Sequence, residues 1–192
     1  MQRLILASTS PYRRDLLARL GIEFTAIAPA VDERALQDDT LSSEQLAAKL
    51  ALAKATSLRD TWPGATIIGS DQICTCEGNI LHKPGDTATA CRQLAMLAGR
   101  THRLITAVAI VQADQVYEHL DITSLTMRPL TASEIGRYVA ADQPLDCAGS
   151  YKLEQRGIAL FARIDSADHT AITGLPLLSV VRLLRQCGYS IP

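Results

Sequence analysis

The first residues that could do chemistry lie near the start of the chain, where a polar turn joins an apolar run to a helix-forming segment. The apolar run at 4–7 is followed by hydroxyl side chains and then by Arg13 and Arg14. Ser10 is a favoured N-cap, and Pro11 suits the first helical position. Two arginines oppose the positive end of the helix dipole unless an anion binds there. The segment therefore indicates a phosphate site; the alternative is a capped helix with two solvated arginines.

Two acidic segments could activate a water molecule or bind a metal ion. Asp71 follows a buried-strand run at 66–69, and Glu33 follows an earlier strand. Carboxylates at strand ends are well placed for this chemistry, because loops converge there. Mg²⁺ typically takes one or two protein carboxylates together with substrate phosphates. The alternatives are an Asx-turn or a cap at Asp71 and a solvated acidic loop at 31–40.

Two lysines and one small-residue segment are further candidates. Lys54 lies among alanines on a predicted helix, and Lys83 precedes a proline that stiffens its loop. The segment 147–154 (CAGSYKLE) contains small residues that allow the backbone to approach a ligand closely. The alternatives are a solvated lysine at position 54 and a tight turn between a helix and a strand at 147–154.

These side chains need a framework, and the sequence predicts an α/β fold. Predicted strands cover 4–7, 24–28, 66–69, 103–111, 116–127 and 157–164, with a hairpin at 73–81. Predicted helices begin after Ser10, at Ser42, at Thr87 and after Thr131, and a final helix runs from Leu175 to Cys187 with Pro176 in its first turn. Strand and helix segments alternate, but some strands follow each other directly. The pattern therefore predicts a mixed sheet flanked by helices.

The bulk properties restrict the class of protein. With 192 residues the chain suits a single domain, and its net charge of -1 argues against a general nucleic-acid or acidic-membrane binder. No apolar run approaches the roughly 20 residues that span a bilayer. The five cysteines are scattered and odd in number, which indicates reduced thiols in a cytoplasmic protein. The four histidines show no metal-ligand spacing, so we expect them at the surface.

The order of these segments carries more information than any one of them. The chain contains LILASTSPYRR at 4–14, VDE at 31–33, AxxKA (ALAKA) at 51–55, GSDQ at 69–72, KP at 83–84 and CAGSY at 147–151. In this order they resemble the Maf family of nucleotide pyrophosphatases. The resemblance extends from residue 4 to the GLP segment at 174–176, and no P-loop, nucleophile elbow or dinucleotide fingerprint competes with it.

The resemblance implies a fold and a reaction. Members of the family are expected to form one Maf-like domain, here 1–192, whose mixed sheet lies in two lobes around a central cleft. They hydrolyse a nucleoside triphosphate between its α and β phosphates and use a divalent metal, Mg²⁺ or Mn²⁺. By similarity, Asp71 accepts the proton of the attacking water and shares the metal with Glu33. The residues expected to hold the triphosphate are Ser8, Arg13, Arg14, Lys54 and Lys83.

Three further positions indicate a branch of the family. Tyr12, Gln72 and Glu154 stand where the branch acting on dTTP and UTP has Arg, Thr and Gln, so the pattern resembles the branch acting on 7-methyl-GTP. A Glu carboxylate can accept hydrogen bonds from both the ring N–H and the amino group of guanine. Methylation at N7 makes the ring cationic, and stacking of Tyr12 on that cation is worth about 0.5–2 kcal/mol.

Alternatives within and beyond this reaction stay open. One is the same chemistry on dTTP, UTP or another modified nucleotide. The other is a septum-associated regulator that binds without hydrolysis. The expected partner is a small-molecule nucleotide rather than nucleic acid or membrane, and the resemblance also implies that a homodimer can form.

Overall fold

The computed structural model describes residues 3–38 and 40–191. Its strands, in chain order, are β1 (Leu4–Ala7), β2 (Thr25–Ile27), β3 (Thr66–Cys76), β4 (Asn79–Leu81), β5 (Thr101–Gln112), β6 (Gln115–Met127) and β7 (Phe161–Asp165). Its helices are α1 (Pro11–Ala18), α2 (Ser43–Thr56), α3 (Thr87–Leu97), α4 (Ala132–Asp142), α5 (His169–Ile172) and α6 (Leu177–Gln186), with a 3-10 helix at Arg156–Leu160. In the part of the chain described, no helix is long and apolar enough to cross a membrane.

The strands form one mixed sheet, which confirms the predicted fold class. The order is β2-β1-β3-β5-β6-β7, and β4 pairs with β3. β1 lies parallel to both β2 and β3, whereas the β3–β4 and β6–β7 pairs are antiparallel. The register pairs Ala7 with Gly69, so the chain leaves β1 for α1 level with the middle of β3.

Packing divides the chain into two compact units. The first comprises residues 1–71, 106–121 and 168–192, and the second comprises 72–105 and 122–167. The core of the first unit contains buried side chains from β1, α1, β3, β5 and α6, including Leu6, Leu17, Ile68, Ile110 and Leu184. The second unit buries apolar side chains from α3, α4 and its strand segments, including Leu94, Leu104, Leu125 and Val139.

The predicted caps begin the helices as expected. The Ser10 hydroxyl accepts a hydrogen bond from the backbone N–H of Arg13, with Pro11 at the first helical position. At α2, Ser42 and Gln45 form a reciprocal capping box. The irregular segment expected at 31–40 is confirmed in its described residues; residue 39 lies outside them.

Three boundaries differ from prediction. Asp71 does not follow the end of a strand, because β3 continues without a break to Cys76. The strand expected at 157–164 is wrong in its first half, where a 3-10 helix occupies Arg156–Leu160 before β7 begins. Pro176 is the N-cap of α6 and not part of its first turn, since its ψ of 92° is extended.

One histidine contradicts the expected surface location. His102 on β5 is 1% exposed, and its Nε2 lies 2.9 Å from the hydroxyl of Tyr151. The ring packs against Tyr151 and Phe161 with centroid distances of 5.5 and 5.9 Å. Burial lowers the pKa of His102 to about 4. The sequence contained no signal for this role, since His102 lies between the polar residues Thr101 and Arg103, just before the predicted strand at 103–111. All five cysteines are free, as predicted.

Candidate active site

In the first unit, one lysine joins two carboxylates. Lys54 Nζ lies 2.6 Å from Oδ1 of Asp71 and 2.9 Å from Oε1 of Glu33. Lys54 is 5% exposed and Asp71 is 7% exposed, whereas half of the Glu33 side chain is accessible. The solvated alternative for Lys54 is therefore wrong. The structure brings together three of the predicted site residues, although 38 positions separate Glu33 from Asp71 in the sequence.

A glycine on β3 makes this arrangement sterically feasible. A Cβ at Gly69 would lie 2.2 Å from the carbonyl oxygen of Ala51 and 2.6 Å from the backbone nitrogen of Ala55. The backbone of α2 therefore packs directly on β3, and Lys54 on the same helix turn reaches Asp71. Gly69 is a close-packing position to which the sequence pattern alone assigned no role. The signal that could have identified it is the pair of alanines four residues apart that flank Lys54.

Arg13 lies close to the same carboxylates. Its Nε donates a hydrogen bond of 2.8 Å to the carbonyl oxygen of Gly174. Burial lowers the pKa of Arg13, while the negative charges of Asp71 and Glu33 raise it. The first unit thus places the Lys54 ammonium and the Arg13 guanidinium near two carboxylates. Cationic groups can bind phosphates and carboxylates can bind a metal ion, so the arrangement suits a metal-bound triphosphate.

The turn before α1 offers further anion-binding groups. Ser8 is buried, and its hydroxyl accepts a 3.1 Å hydrogen bond from the backbone N–H of Ser10. The first turn of α1 carries no acidic residue, so the positive end of the helix dipole is not neutralised by its own side chains. Ser8 and the start of α1 therefore keep the polarity expected of a phosphate-binding turn.

The other predicted residues of α1 have different environments. Arg14 is exposed, and its described ion pair is with its neighbour Asp15 at 3.7 Å. Tyr12 is partly buried in the first turn of the helix. The described ion pairs do not link Arg14 to Glu33 or Asp71, so its phosphate-binding role stays a prediction.

The second unit contains the remaining predicted residues. Gln72 is partly buried on β3, and Lys83 is exposed in the segment after β4. Glu154 is exposed in a turn that precedes the 3-10 helix. Their roles in phosphate binding and base selection stay predictions.

The segment that carries Glu154 is held by buried aromatic residues. Tyr151 is 5% exposed, and its hydroxyl lies 2.9 Å from Nε2 of the buried His102. The Tyr138 hydroxyl accepts a 2.9 Å hydrogen bond from the backbone N–H of Lys152. Gly149, with φ of +81°, has no room for a Cβ, because Cys74 Sγ and the Tyr151 ring would each lie 2.9 Å away. Small residues in this motif therefore serve close packing.

The donor set at Lys54 fits a divalent cation that binds together with substrate. Two carboxylates, from Glu33 and Asp71, already converge on one cationic nitrogen. Carboxylate oxygens are the ligands preferred by Mg²⁺ and Mn²⁺. In residues 3–38 and 40–191, no group of three or more His, Cys, Asp or Glu side chains could hold a metal on its own. The arrangement suits a cation whose remaining ligands are phosphates and water.

Comparison with known proteins agrees with the resemblance in the sequence. A family model described as Maf-like protein matches residues 3–187. A 7-methyl-GTP pyrophosphatase from Xanthomonas oryzae pv. oryzae is 47% identical over 192 residues, covering 100% of both chains. Proteins of the same name from Xanthomonas campestris pv. campestris and Bdellovibrio bacteriovorus are 48% identical over 193 residues and 45% identical over 187 residues. The match to the Xanthomonas campestris protein covers 100% of both chains. The match to the Bdellovibrio bacteriovorus protein covers 97% of this chain and 98% of the relative. With a family match along nearly its whole length and relatives this similar, the chain belongs to the Maf-like protein family.

Proposed function

We propose that this chain, an enzyme of the nucleotide pyrophosphatase class, hydrolyses the α–β phosphoanhydride of 7-methyl-GTP to 7-methyl-GMP and pyrophosphate. The observation that carries the proposal is the pair of ion pairs that Lys54 forms with Asp71 and Glu33. Arg13 lies close enough for both carboxylates to act on its charge. Full-length relatives that bear the name 7-methyl-GTP pyrophosphatase support the choice of substrate.

Asp71 is the group proposed to accept a proton. Water attacks the α-phosphorus, the new P–O bond forms, and the bond from that phosphorus to the α–β bridging oxygen breaks. The bonding electron pair leaves with pyrophosphate, and a water proton passes to the Asp71 carboxylate. General-base catalysis of this kind contributes about 10²–10⁴-fold to rate. Burial and the contact with Lys54 restrict the orientations of the Asp71 carboxylate, which favours a positioned proton acceptor.

Lys54 and Arg13 are proposed to hold the negative charge of the phosphates. Phosphoryl transfer depends mainly on positioning and on neutralising charge on the phosphate oxygens. Lys54 Nζ contacts the carboxylates of Asp71 and Glu33. A phosphate that binds Lys54 competes with these carboxylates, so the lysine releases them when the substrate arrives. This exchange couples substrate binding to the availability of the proton acceptor.

Asp71 and Glu33 are also the residues proposed to hold a divalent cation, Mg²⁺ or Mn²⁺. When bound with substrate, such a cation would neutralise charge on the phosphate oxygens and promote ionisation of water. Glu33 is more accessible than Asp71, so it is the carboxylate better able to adjust its position to a ligand.

Base choice is proposed to depend on Glu154 and Tyr12, each with a distinct chemical contribution. The exposed carboxylate of Glu154 can accept from the ring N–H and the amino group of 7-methylguanine, whereas thymine and uracil offer one donor. Tyr12 can stack on the cationic ring. Both contributions favour 7-methyl-GTP over a pyrimidine triphosphate.

The test is a panel of triphosphates assayed for released pyrophosphate with Mg²⁺ or Mn²⁺ present. We expect the highest kcat/KM on 7-methyl-GTP and a loss of at least about 10²-fold in kcat for Asp71→Asn. Higher activity on dTTP, UTP or another modified nucleotide would contradict the assignment of 7-methyl-GTP as the substrate. Binding of nucleotide without any release of pyrophosphate would contradict catalysis and favour a regulatory role.

A matched control separates catalysis from loss of an ion pair. Asp114 also forms a 2.6 Å ion pair, with Arg59, but its side chain is 96% exposed. Asp114→Asn therefore removes a comparable contact and is expected to keep wild-type turnover. If both variants lost activity to the same extent, the assignment of Asp71 would be wrong.

A further inference from the structure

One backbone carbonyl, that of Gly174, links Arg13 to the strand that carries Asp71. The oxygen of Gly174 accepts a 2.8 Å hydrogen bond from Arg13 Nε and lies 2.9 Å from the hydroxyl of Ser70. Ser70 is fully buried and immediately precedes Asp71, and its hydroxyl also lies 2.8 Å from the carbonyl of Ala107. Ser70 has one hydroxyl hydrogen, so the two carbonyls share it.

The conformation of Gly174 requires glycine. Its φ is +104°, and the turn is closed by a 2.9 Å hydrogen bond from its N–H to the carbonyl of Ala171. A Cβ there would lie 3.3 Å from Arg13 Nε and 3.7 Å from its Cγ and Nη2. Any larger residue would therefore strain the backbone and push against the guanidinium at the same time.

The remaining donors of Arg13 are left for a ligand. Among the described residues, none accepts a hydrogen bond from its Nη1 or Nη2. A guanidinium held at Nε presents its two terminal nitrogens in a fixed plane, which is the geometry that binds phosphate through two hydrogen bonds. The negative charges of Asp71 and Glu33 raise the pKa of Arg13. Among the described residues, neither carboxylate forms an ion pair with the Arg13 guanidinium.

We propose that Gly174 and Ser70 are positioning residues, which orient the Arg13 guanidinium for phosphate through the shared Gly174 carbonyl. This rests on the proposed function, in that Arg13 binds the triphosphate. Ser70 fixes the carbonyl and Gly174 supplies the turn and the free space. Ser70 directly precedes Asp71 in the chain. Its hydrogen bond to the Gly174 carbonyl therefore couples the position of the Arg13 guanidinium to that of the Asp71 carboxylate.

The test is a double-mutant cycle on the affinity for inorganic triphosphate, measured by calorimetry. Gly174→Ala and Ser70→Ala are each expected to weaken binding by about 5–10-fold, as coupled neighbours do. Arg13→Ala is expected to weaken it further. In the Arg13→Ala background, Gly174→Ala and Ser70→Ala should then change affinity by less than about twofold. A residue with only a structural role would give the same fold-change in both backgrounds, and that result would overturn the proposal.

Thr106 provides a matched control. Its buried hydroxyl donates a 2.9 Å hydrogen bond to the carbonyl of Ala171, three residues before Gly174. Thr106→Val removes a hydroxyl from the same region and is expected to leave triphosphate affinity within about twofold of wild type. An effect as large as that of Ser70→Ala would also overturn the proposal.

The outcomes separate this inference from the proposed function. Wild-type protein that binds triphosphate but hydrolyses no nucleotide would contradict the proposed function, while the binding cycle would still decide the inference. Wild-type protein that does not bind triphosphate would contradict the inference itself. If Gly174→Ala fails to fold, Ser70→Ala, which leaves the backbone turn intact, carries the test.

Discussion

Lys54 Nζ and Asp71 Oδ1 are 2.6 Å apart in a pair that is almost wholly buried. The lysine also contacts Glu33, so one positive charge lies between two negative ones. An unpaired carboxylate in such a place is costly, because burial disfavours an isolated charge. The ammonium thus balances the charge of the two carboxylates and occupies the position between them.

Replacing this lysine should therefore change metal binding in the absence of nucleotide. In Lys54→Met, a divalent cation no longer competes with the ammonium for Asp71 and Glu33. Opposite charges about 4 Å apart interact by several kcal/mol at an effective dielectric of about 20. We expect the affinity for Mn²⁺ alone to rise by at least about tenfold, measured by calorimetry or by the Mn²⁺ resonance signal, while turnover falls.

Lys49 is the matched control for that prediction. It lies on the same helix and pairs with Asp38 at 3.9 Å, but its side chain is 39% exposed. Lys49→Met should leave Mn²⁺ affinity as in wild type. Equal metal affinity in Lys54→Met and wild type would show that the ammonium does not compete for this position.

The close packing of α2 on β3 leads to a prediction about stability. In Gly69→Ala the new methyl group meets the backbone of Ala51 and Ala55, which cannot rotate away. We expect the free energy of unfolding to fall by about 3 kcal/mol or more. Any folded protein should also lose turnover, because displacement of α2 moves Lys54 away from Asp71. Denaturant unfolding and pyrophosphate release measure the two effects.

Gly136 tests whether that loss comes from steric overlap. It lies on α4, and a Cβ built there has nothing within 4 Å. Gly136→Ala should stabilise the protein by about 0.5–1 kcal/mol through helix propensity. A similar loss of stability in both variants would contradict the packing explanation.

Substrate choice should depend on the charge of Glu154. Glu154→Gln replaces an acceptor-only group by one that offers a single acceptor and a donor, so one hydrogen bond to guanine is lost. We expect the ratio of kcat/KM for 7-methyl-GTP over UTP to fall by about tenfold. Glu118→Gln makes the same charge change at an exposed position on β6 and should preserve the ratio. An unchanged ratio in Glu154→Gln would contradict the role in base selection.

Stability should depend on pH through His102. Burial lowers its pKa to about 4 in the folded protein, against about 6.5 when unfolded, so the unfolded chain binds a proton more readily. The contribution of His102 is therefore complete above pH 6.5 and is lost as pH falls from 6.5 to 4. The loss amounts to about 3 kcal/mol. Denaturant unfolding at several pH values measures it.

Two variants identify His102 as the source of that dependence. His102→Phe removes the titrating group and should flatten this part of the profile. Tyr151→Phe removes the hydrogen bond at 2.9 Å but keeps the ring buried, so most of the slope should remain. If His102→Phe keeps the wild-type slope, another group is responsible for it.

Local chemistry made much of the framework predictable. Ser10, Ser42 and Thr131 begin helices as their N-cap preferences predict, and Thr87–Leu97 is helical as predicted. The continuation of β3 beyond residue 69 was not predictable in the same way, because the polar residues at 70–72 are typical of the end of a strand. The segment 157–164 was misassigned in part, since five residues of 3-10 helix have no distinctive periodicity.

The sequence by itself determined the family and the mixed α/β fold, and it supplied the candidate site residues, because these depend on residue types and their order. It did not determine which of those residues meet. Tertiary packing decided that Lys54 is buried against Asp71 and Glu33, because Gly69 allows two backbones to come into contact. Packing likewise decided that Arg13 is held at the Gly174 carbonyl, 161 residues away in the chain. Such contacts depend on the close approach of distant backbone segments, for which spacing along the chain carries no signal.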